Sequence, residues 1–183
     1  MGKTRKEVIA SNAISELASY SLGGFEQKVL IEGRSPLNPL VIILHGGPGF
    51  PLPMGVGGRG LWPDFTDTFT MVYWDQLGCG INNHPIDDSF SIDSYVDMTI
   101  DLAKTVRKDY PNRSVNLFAV SWGTILSAKV AAKAPELIDN VVASGQVVRD
   151  LSTSKEVFEA LMQSDMPPKL KARLEEICSK CWL

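Results

Sequence analysis

Val115 to Val120 reads as a buried strand and Thr124 to Ala134 as a helix that stops before Pro135. Between them stand only Ser121, Trp122 and Gly123. A strand that enters a helix without a spacer must bend so tightly that the residue at the bend is held in a strained conformation. The residues two positions to either side must be small, or helix and strand collide. Gly123 meets that need, and Ala119 meets it with one methyl group more than glycine, a mildly crowded fit. Such a bend lifts the Ser121 hydroxyl out of the C-terminal edge of the sheet, where ligands bind in open α/β folds. The backbone N–H of Trp122 opens the helix and, with the helix dipole, points at a place where negative charge can develop. A serine at a helix start also has a plainer use as an N-cap. On Ser-x-Gly alone the two readings are even.

The rest of the chain supplies a sheet for that bend. Leu40 to Leu44 is a continuous apolar run rich in β-branched residues, the pattern of a strand covered on both faces. Phe69 to Trp74 is a second such run, and Asn140 to Ser144 reads as a further short strand. Gln27 to Glu32 has an apolar centre between polar ends and reads as an edge strand. Ser91 to Tyr110 places Ile92, Tyr95, Val96, Leu102, Ala103 and Val106 on one helical face, and Pro111 ends it. Residues 1 to 19 read as helical or loose and polar. The order strand, strand, strand, helix, strand, helix, strand predicts an α/β fold, a mainly parallel sheet with helices on both faces. After Val148 come two helical segments, Ser154 to Gln163 and Pro168 to Cys181, with no strand between them. In the second, Leu170, Leu174, Ile177 and Cys181 share a face. The expected division is a core over residues 1–150 and an incomplete helical unit over 151–183.

Composition narrows the classes of partner. Lys plus Arg number 18 and Asp plus Glu 21, with no basic run, which argues against nucleic acid. No stretch approaches the roughly 20 apolar residues of a membrane helix. Met1 to Ala10 is charged and lacks the apolar centre of a signal peptide, so the expected setting is cytoplasmic. Cys178-Ser-Lys-Cys181 has CxxC spacing but no second ligand pair, and reads as two incidental thiols. No metal or cofactor is expected.

The strand Leu40 to Leu44 runs directly into His45-Gly46-Gly47-Pro48-Gly49. A second oxyanion donor must be a backbone N–H free of side-chain obstruction, and adjacent glycines provide one. Gly47 is the expected donor, while Pro48 has no N–H to give and stiffens the turn. Such a loop roughly 70 residues before a strand–Ser–helix bend is a specific pairing and outweighs both the ordinary-turn and the N-cap readings. His45 lies on the wrong element to act as a base and is expected to fix the glycine loop. Asp75, in Tyr73-Trp-Asp75-Gln-Leu-Gly78-Cys-Gly80, is expected to bind loop N–H groups rather than to attack a substrate.

HGGPG, WDQLGCG, SWG and Ser144-Gly-Gln-Val-Val148, in this order and spacing, resemble the proline iminopeptidase family of α/β-hydrolases over roughly residues 20 to 150. The resemblance implies removal of an N-terminal residue, often proline, from small peptides or amino-acid amides. It implies Ser121 as nucleophile, with Gly47 and Trp122 framing the oxyanion. It also implies an eight-stranded sheet with a helical lid after the sixth strand, so that residues from about 151 resemble the start of that lid. Leu77 stands where many members have Arg, and Cys79 where many have Ser, as in the broader amino-acid amidase and tricorn-interacting peptidase branch.

Activation of Ser121 needs a base and an acid that orients it, and in this fold the order is Ser, acid, His. The chain's two histidines, His45 and His84, both precede Ser121. His84 is not favoured as base because nothing places an acid behind it. Asp139, Asp150 and Asp165 follow Ser121, but none follows a further core strand. The expected fold is therefore truncated before its last strands, with an open sheet edge, an uncovered apolar face and self-association through that edge. Two readings stay open: a serine aminopeptidase or amidase whose activity belongs to a longer parent, and a non-catalytic binding module or decayed gene product.

Overall fold

In a computed structural model the backbone is described over residues 4–148 and 155–181, and the side chains over 4–148 and 158–176. Two compact units result, residues 1–146 and 147–183. The first holds α1 (Arg5–Ser11), β1 (Ile14–Leu22), β2 (Phe25–Gly33), β3 (Leu40–Leu44), α2 (Pro63–Thr68), β4 (Thr70–Tyr73), α3 (Ile92–Asp109), β5 (Val115–Val120), α4 (Trp122–Lys133) and β6 (Asn140–Ser144). The second holds α5 (Lys155–Gln163) and α6 (Pro168–Cys181). The CxxC cysteines, Ile177 and Asp150 lie outside the described side chains.

The six strands form one sheet in the order β1-β2-β4-β3-β5-β6. β4, β3, β5 and β6 run parallel, and β1 and β2 are antiparallel additions at one edge. The mixed, mostly parallel sheet matches the expected class. The pleat sorts the core onto two faces. Leu40, Ile42, Leu44, Val72, Leu117 and Ala119 point to the face covered by α3 and α4, where Val96, Leu102, Val106, Leu126 and Val130 meet them. Val41, Ile43, Met71 and Tyr73 point to the other face, where Met54, Val56, Trp62 and Phe69 pack. Ser91 caps α3 by accepting the Ser94 N–H, as its place before the apolar stripe implies.

Two expectations are corrected at the N-terminal end. Residues 1–19 are not simply helical or loose: after α1 they enter β1, which pairs with β2 along its whole length. Gly23 and Gly24, both at positive φ (59° and 83°), make the two-residue turn of that hairpin. β1 offers little signal because it is only half-exposed and its polar and apolar residues alternate weakly. Consequently β2 is not an edge strand. Its polar ends are buried and paired: the Trp74 indole N–H donates to Gln27 Oε1 (2.9 Å), and the Glu32 carboxylate accepts from Ser15 Oγ (3.0 Å), Arg59 Nε (3.3 Å) and Gly60 N (3.1 Å). Polarity there marks partners rather than exposure.

The far edge is β6, and all five of its residues are exposed. Beside it a groove of about 490 Å³ opens on the sheet face opposite α3 and α4, lined by Phe65, Phe69, Met71, Phe118 and Val142 among others. Among the described residues no helix is long and apolar enough to cross a membrane.

Candidate active site

Ser121 sits at φ 51°, ψ −118°, between β5 and α4. Positive φ costs a side-chain-bearing residue on the order of 1–3 kcal/mol, and the surroundings hold it there. The Ser121 N–H donates to the carbonyl of Ser144 at the end of β6 (2.9 Å), and its carbonyl accepts the Thr124 N–H (2.8 Å) and hydroxyl (2.6 Å). On the far side Gly123 presses onto the end of β3. A Cβ there would overlap the Leu44 carbonyl and stand 2.9 Å from that of His45. Ala119 is fully buried in register with Leu44 and Ala143.

The plainer use of Ser121 as an N-cap is not realised, because its side chain makes no cap hydrogen bond to α4. Its side chain is on the side of Gly46. A Cβ on Gly46 would stand 3.3 Å from Ser121 Cβ and 3.9 Å from Oγ. Gly47 has φ 123°, and a Cβ there would meet the amides of Gly49 (2.6 Å) and Phe50 (2.8 Å), so no side chain fits. Pro48 follows through a cis bond, Gly49 takes φ 82°, and the Phe50 N–H closes the turn onto the Gly46 carbonyl (3.2 Å).

Beneath the loop the side chains are buried and paired. His45 Nε2 accepts the Gln76 backbone N–H (3.0 Å), which leaves the proton on Nδ1, 2.9 Å from the Gly46 carbonyl. Burial holds this imidazole below its ordinary pKa. The Asp75 carboxylate accepts the N–H groups of Val56 (2.8 Å) and Ile81 (2.9 Å), binding the loops on either side of it. Gly55 and Gly80 face that carboxylate at distances with no room for a Cβ. Burial also pushes the Cys79 thiol up to about 11, so it stays protonated at neutral pH.

Gln76 was not singled out by sequence reasoning. Its side-chain amide donates to the His45 carbonyl (3.2 Å) and accepts the Trp122 indole N–H (3.1 Å). Tyr95 is a second omission. Its ring meets Trp122 edge-on at 6.4 Å, and its hydroxyl donates to the Leu77 carbonyl (3.1 Å). With Pro48, Gly49, Leu77 and Ile86 these two residues line a cavity of about 170 Å³ beside the glycine loop. A buried glutamine carries no periodic signal; its place one residue after Asp75 in WDQLGCG was the available hint.

The structure does not bring His84 to this cluster. It is exposed, its ring packs on Phe25 at 5.0 Å, and its Nδ1 lies 2.7 Å from the Pro85 carbonyl. Asp139 is engaged elsewhere, accepting from Val115 N (2.7 Å) and Arg107 Nη2 (2.6 Å). Among the described residues no group of three His, Cys, Asp or Glu side chains is placed to hold a metal ion.

Residues 39–173 match the sequence profile of the α/β hydrolase fold family. Over 157 residues the chain is 28% identical to YbaC, a probable aminopeptidase of Bacillus subtilis, covering 82% of this chain and 48% of that protein. It is 30% identical over 105 residues to a proline iminopeptidase of Heyndrickxia coagulans, covering 57% and 34%. The crystal structure of a proline iminopeptidase-related protein from Thermus thermophilus superimposes with a TM-score of 0.56 at 26% identity, covering 70% of this chain and 44% of that one. An epoxide hydrolase from Vigna radiata, at 22% identity and a TM-score of 0.60, shares the fold. The chain spans about half, or less, of the length of these curated relatives.

Proposed function

The chain belongs to the α/β-hydrolase fold family, related to proline-iminopeptidase-like proteins, and from that premise we propose that it carries the nucleophile and oxyanion half of a serine aminopeptidase or amino-acid amidase. The substrate class is a small peptide or amino-acid amide with a free N-terminal residue. Ser121 Oγ attacks the carbonyl carbon of that residue. The carbonyl π electrons move onto oxygen, and the backbone N–H groups of Gly47 and Trp122 stabilise the oxyanion. The N-terminal end of α4 adds its dipole. Collapse breaks the C–N bond as the base that took the Ser121 proton returns it to the nitrogen, so that a neutral amine leaves and an acyl-serine ester remains for water to cleave.

The observation that carries this reading is Ser121 itself: its backbone is held at positive φ, its side chain makes no capping bond, and a Cβ added at Gly46 would come within 3.9 Å of its Oγ. The attack also requires an acceptor for the Ser121 proton. No histidine follows Ser121 in these 183 residues, so full turnover is assigned to a longer polypeptide of the relatives' length. This chain alone keeps only oxyanion stabilisation, in other triads a residual ~10³–10⁴-fold over water. The second reading is a non-catalytic module that uses the same pocket for binding.

A fluorophosphonate probe separates the two. Slow, stoichiometric labelling at Ser121, seen by intact mass and peptide mapping and abolished in Ser121→Ala, is the expected result. A label on another residue, or a longer polypeptide of the relatives' length that stays unlabelled at Ser121, overturns the hydrolase reading. For the longer polypeptide, release of coumarin from prolyl and other aminoacyl coumarin amides reads the substrate class.

A further inference from the structure

The two amides assigned to the oxyanion belong to different elements. Gly47 lies two residues beyond the end of β3's loop anchor, His45, and Trp122 begins α4. Their separation must hold to a few tenths of an ångström for both to reach one oxygen. The strain at Ser121 fixes the direction of α4 but does not by itself fix the glycine loop against it.

One buried side chain bonds to both. Gln76 is 2% exposed. Its backbone N–H reaches His45 Nε2 and its side-chain N–H₂ reaches the His45 carbonyl, so the residue that leads into Gly46 and Gly47 is held at two atoms. The other end of the same planar amide accepts the Trp122 indole N–H. We propose that Gln76 is the positioning residue that sets the gap between the Gly47 and Trp122 amides, acting as a rigid strut with a donor at one end and an acceptor at the other. This rests on the hydrolase reading for its catalytic meaning, though the strut itself does not.

The chemistry is demanding of residue type. The glutamine amide offers a neutral donor and a neutral acceptor in one plane, one for each partner. A glutamate would still accept from Trp122 but would set a carboxylate oxygen against the His45 carbonyl. A methionine would fill the space and leave both partners unpaired.

The test uses the full chain and the fluorophosphonate, resolved into the maximal labelling rate and the probe's half-saturating concentration. Gln76→Met is expected to lower the maximal rate by about tenfold or more while half-saturation moves by less than about twofold, the mark of a group felt in the transition state. Gln76→Glu, which keeps the shape, is expected to fall in between. In a cycle with Trp122→Phe, which deletes the indole N–H, the two losses should not add. Equal labelling rates in wild type and Gln76→Met, or fully additive losses, overturn the proposal.

Amide hydrogen exchange decides the strut independently of labelling. The bonded amides next to the two donors report on it: Phe50, whose N–H closes the glycine loop onto the Gly46 carbonyl, and Thr124, whose N–H closes the first turn of α4 onto the Ser121 carbonyl, should both lose protection in Gln76→Met. In Gln76→Glu the loss should be confined to Phe50. Unchanged protection at both in Gln76→Met overturns the strut even if the chain labels. A longer polypeptide of the relatives' length that stays unlabelled at Ser121 overturns the hydrolase reading while leaving the exchange result to stand.

Discussion

β3 and β6 flank β5 on opposite sides, and both run parallel to it. Both are five residues long, and both end at the candidate site. β3, Leu-Val-Ile-Ile-Leu, is buried at every position; β6, Asn-Val-Val-Ala-Ser, is exposed at every position. The difference lies in their neighbours. β3 has β4 and β5 beside it and core on both faces, whereas β6 has β5 on one side and, among the described residues, no strand on the other. Pairing with one neighbour is enough to define a strand, but burial requires the layers around it. Each strand nonetheless holds the bend: β3 through the contact of Gly123 with Leu44, and β6 through the Ser144 carbonyl that takes the Ser121 N–H.

The largest expected effect contrasts side-chain deletion in the two strands. Ile42→Ala empties a fully buried site and should cost about 2–5 kcal/mol. Val142→Ala, at 56% exposure, should stay within about 0.5 kcal/mol. Urea melts of the two variants measure this. A similar loss in both would show that β6 is covered in solution, and the contrast would collapse.

Next come the glycines on either side of Ser121. Gly123→Ala forces a methyl into the backbone of β3 and should destabilise by about 1–3 kcal/mol while impairing labelling. Gly145, at φ 65°, has only the Ser121 N within 4 Å of an added Cβ, at 3.9 Å. Gly145→Ala should cost only the conformational strain, about 1 kcal/mol. Thermal melts with probe labelling rank them, and a larger loss for Gly145→Ala would reverse the assignment of the tight side.

Association sharpens the same contrast. The β6 edge and the neighbouring apolar groove should make copies of the chain self-associate, visible as concentration-dependent sedimentation. Val142→Lys should weaken that association. A wild-type chain that sediments as a monomer at all concentrations would sink the idea.

The smallest expected effect is a slope. His45, at the end of β3, has its pKa lowered by burial, so the unfolded chain takes the proton first as pH falls. The stability from keeping this ring neutral is full above the unfolded value of about 6.5 and is lost as pH falls through the folded value. Melting temperature should decline as pH falls below about 6.5, and less steeply in His45→Gln. Identical slopes would show that His45 is not the titrating group.

The parts of the fold that were legible in the sequence share a physical basis. β3, β4, β5, α3 and α4 carry their signal in local pattern, a continuous apolar run or a helical stripe, because each is buried on the side its own sequence marks. β1 was missed because a half-exposed strand offers only weak alternation, although Gly23-Gly24 between two such runs was a hairpin cue. β2 was misplaced as an edge because Gln27 and Glu32 look solvated until Trp74, Ser15 and Arg59 are brought to them.

At the candidate site, Ser121, Gly46, Gly47 and Gly123 were legible because backbone sterics demand their types: a bend without a spacer, an unobstructed amide, a helix laid on a strand. Gln76 and Tyr95 were not, since their partners lie 18 to 46 residues away and no spacing rule links them. The sequence by itself determined where the chain can bend and which residues are small enough to allow it, because those constraints act between neighbours along the backbone. Only the tertiary structure decided that His45, Gln76 and Trp122 meet, and that β3 is buried while β6 is bare. Hydrogen-bond partners and solvent exclusion are properties of what lies across space, and a linear pattern does not contain them.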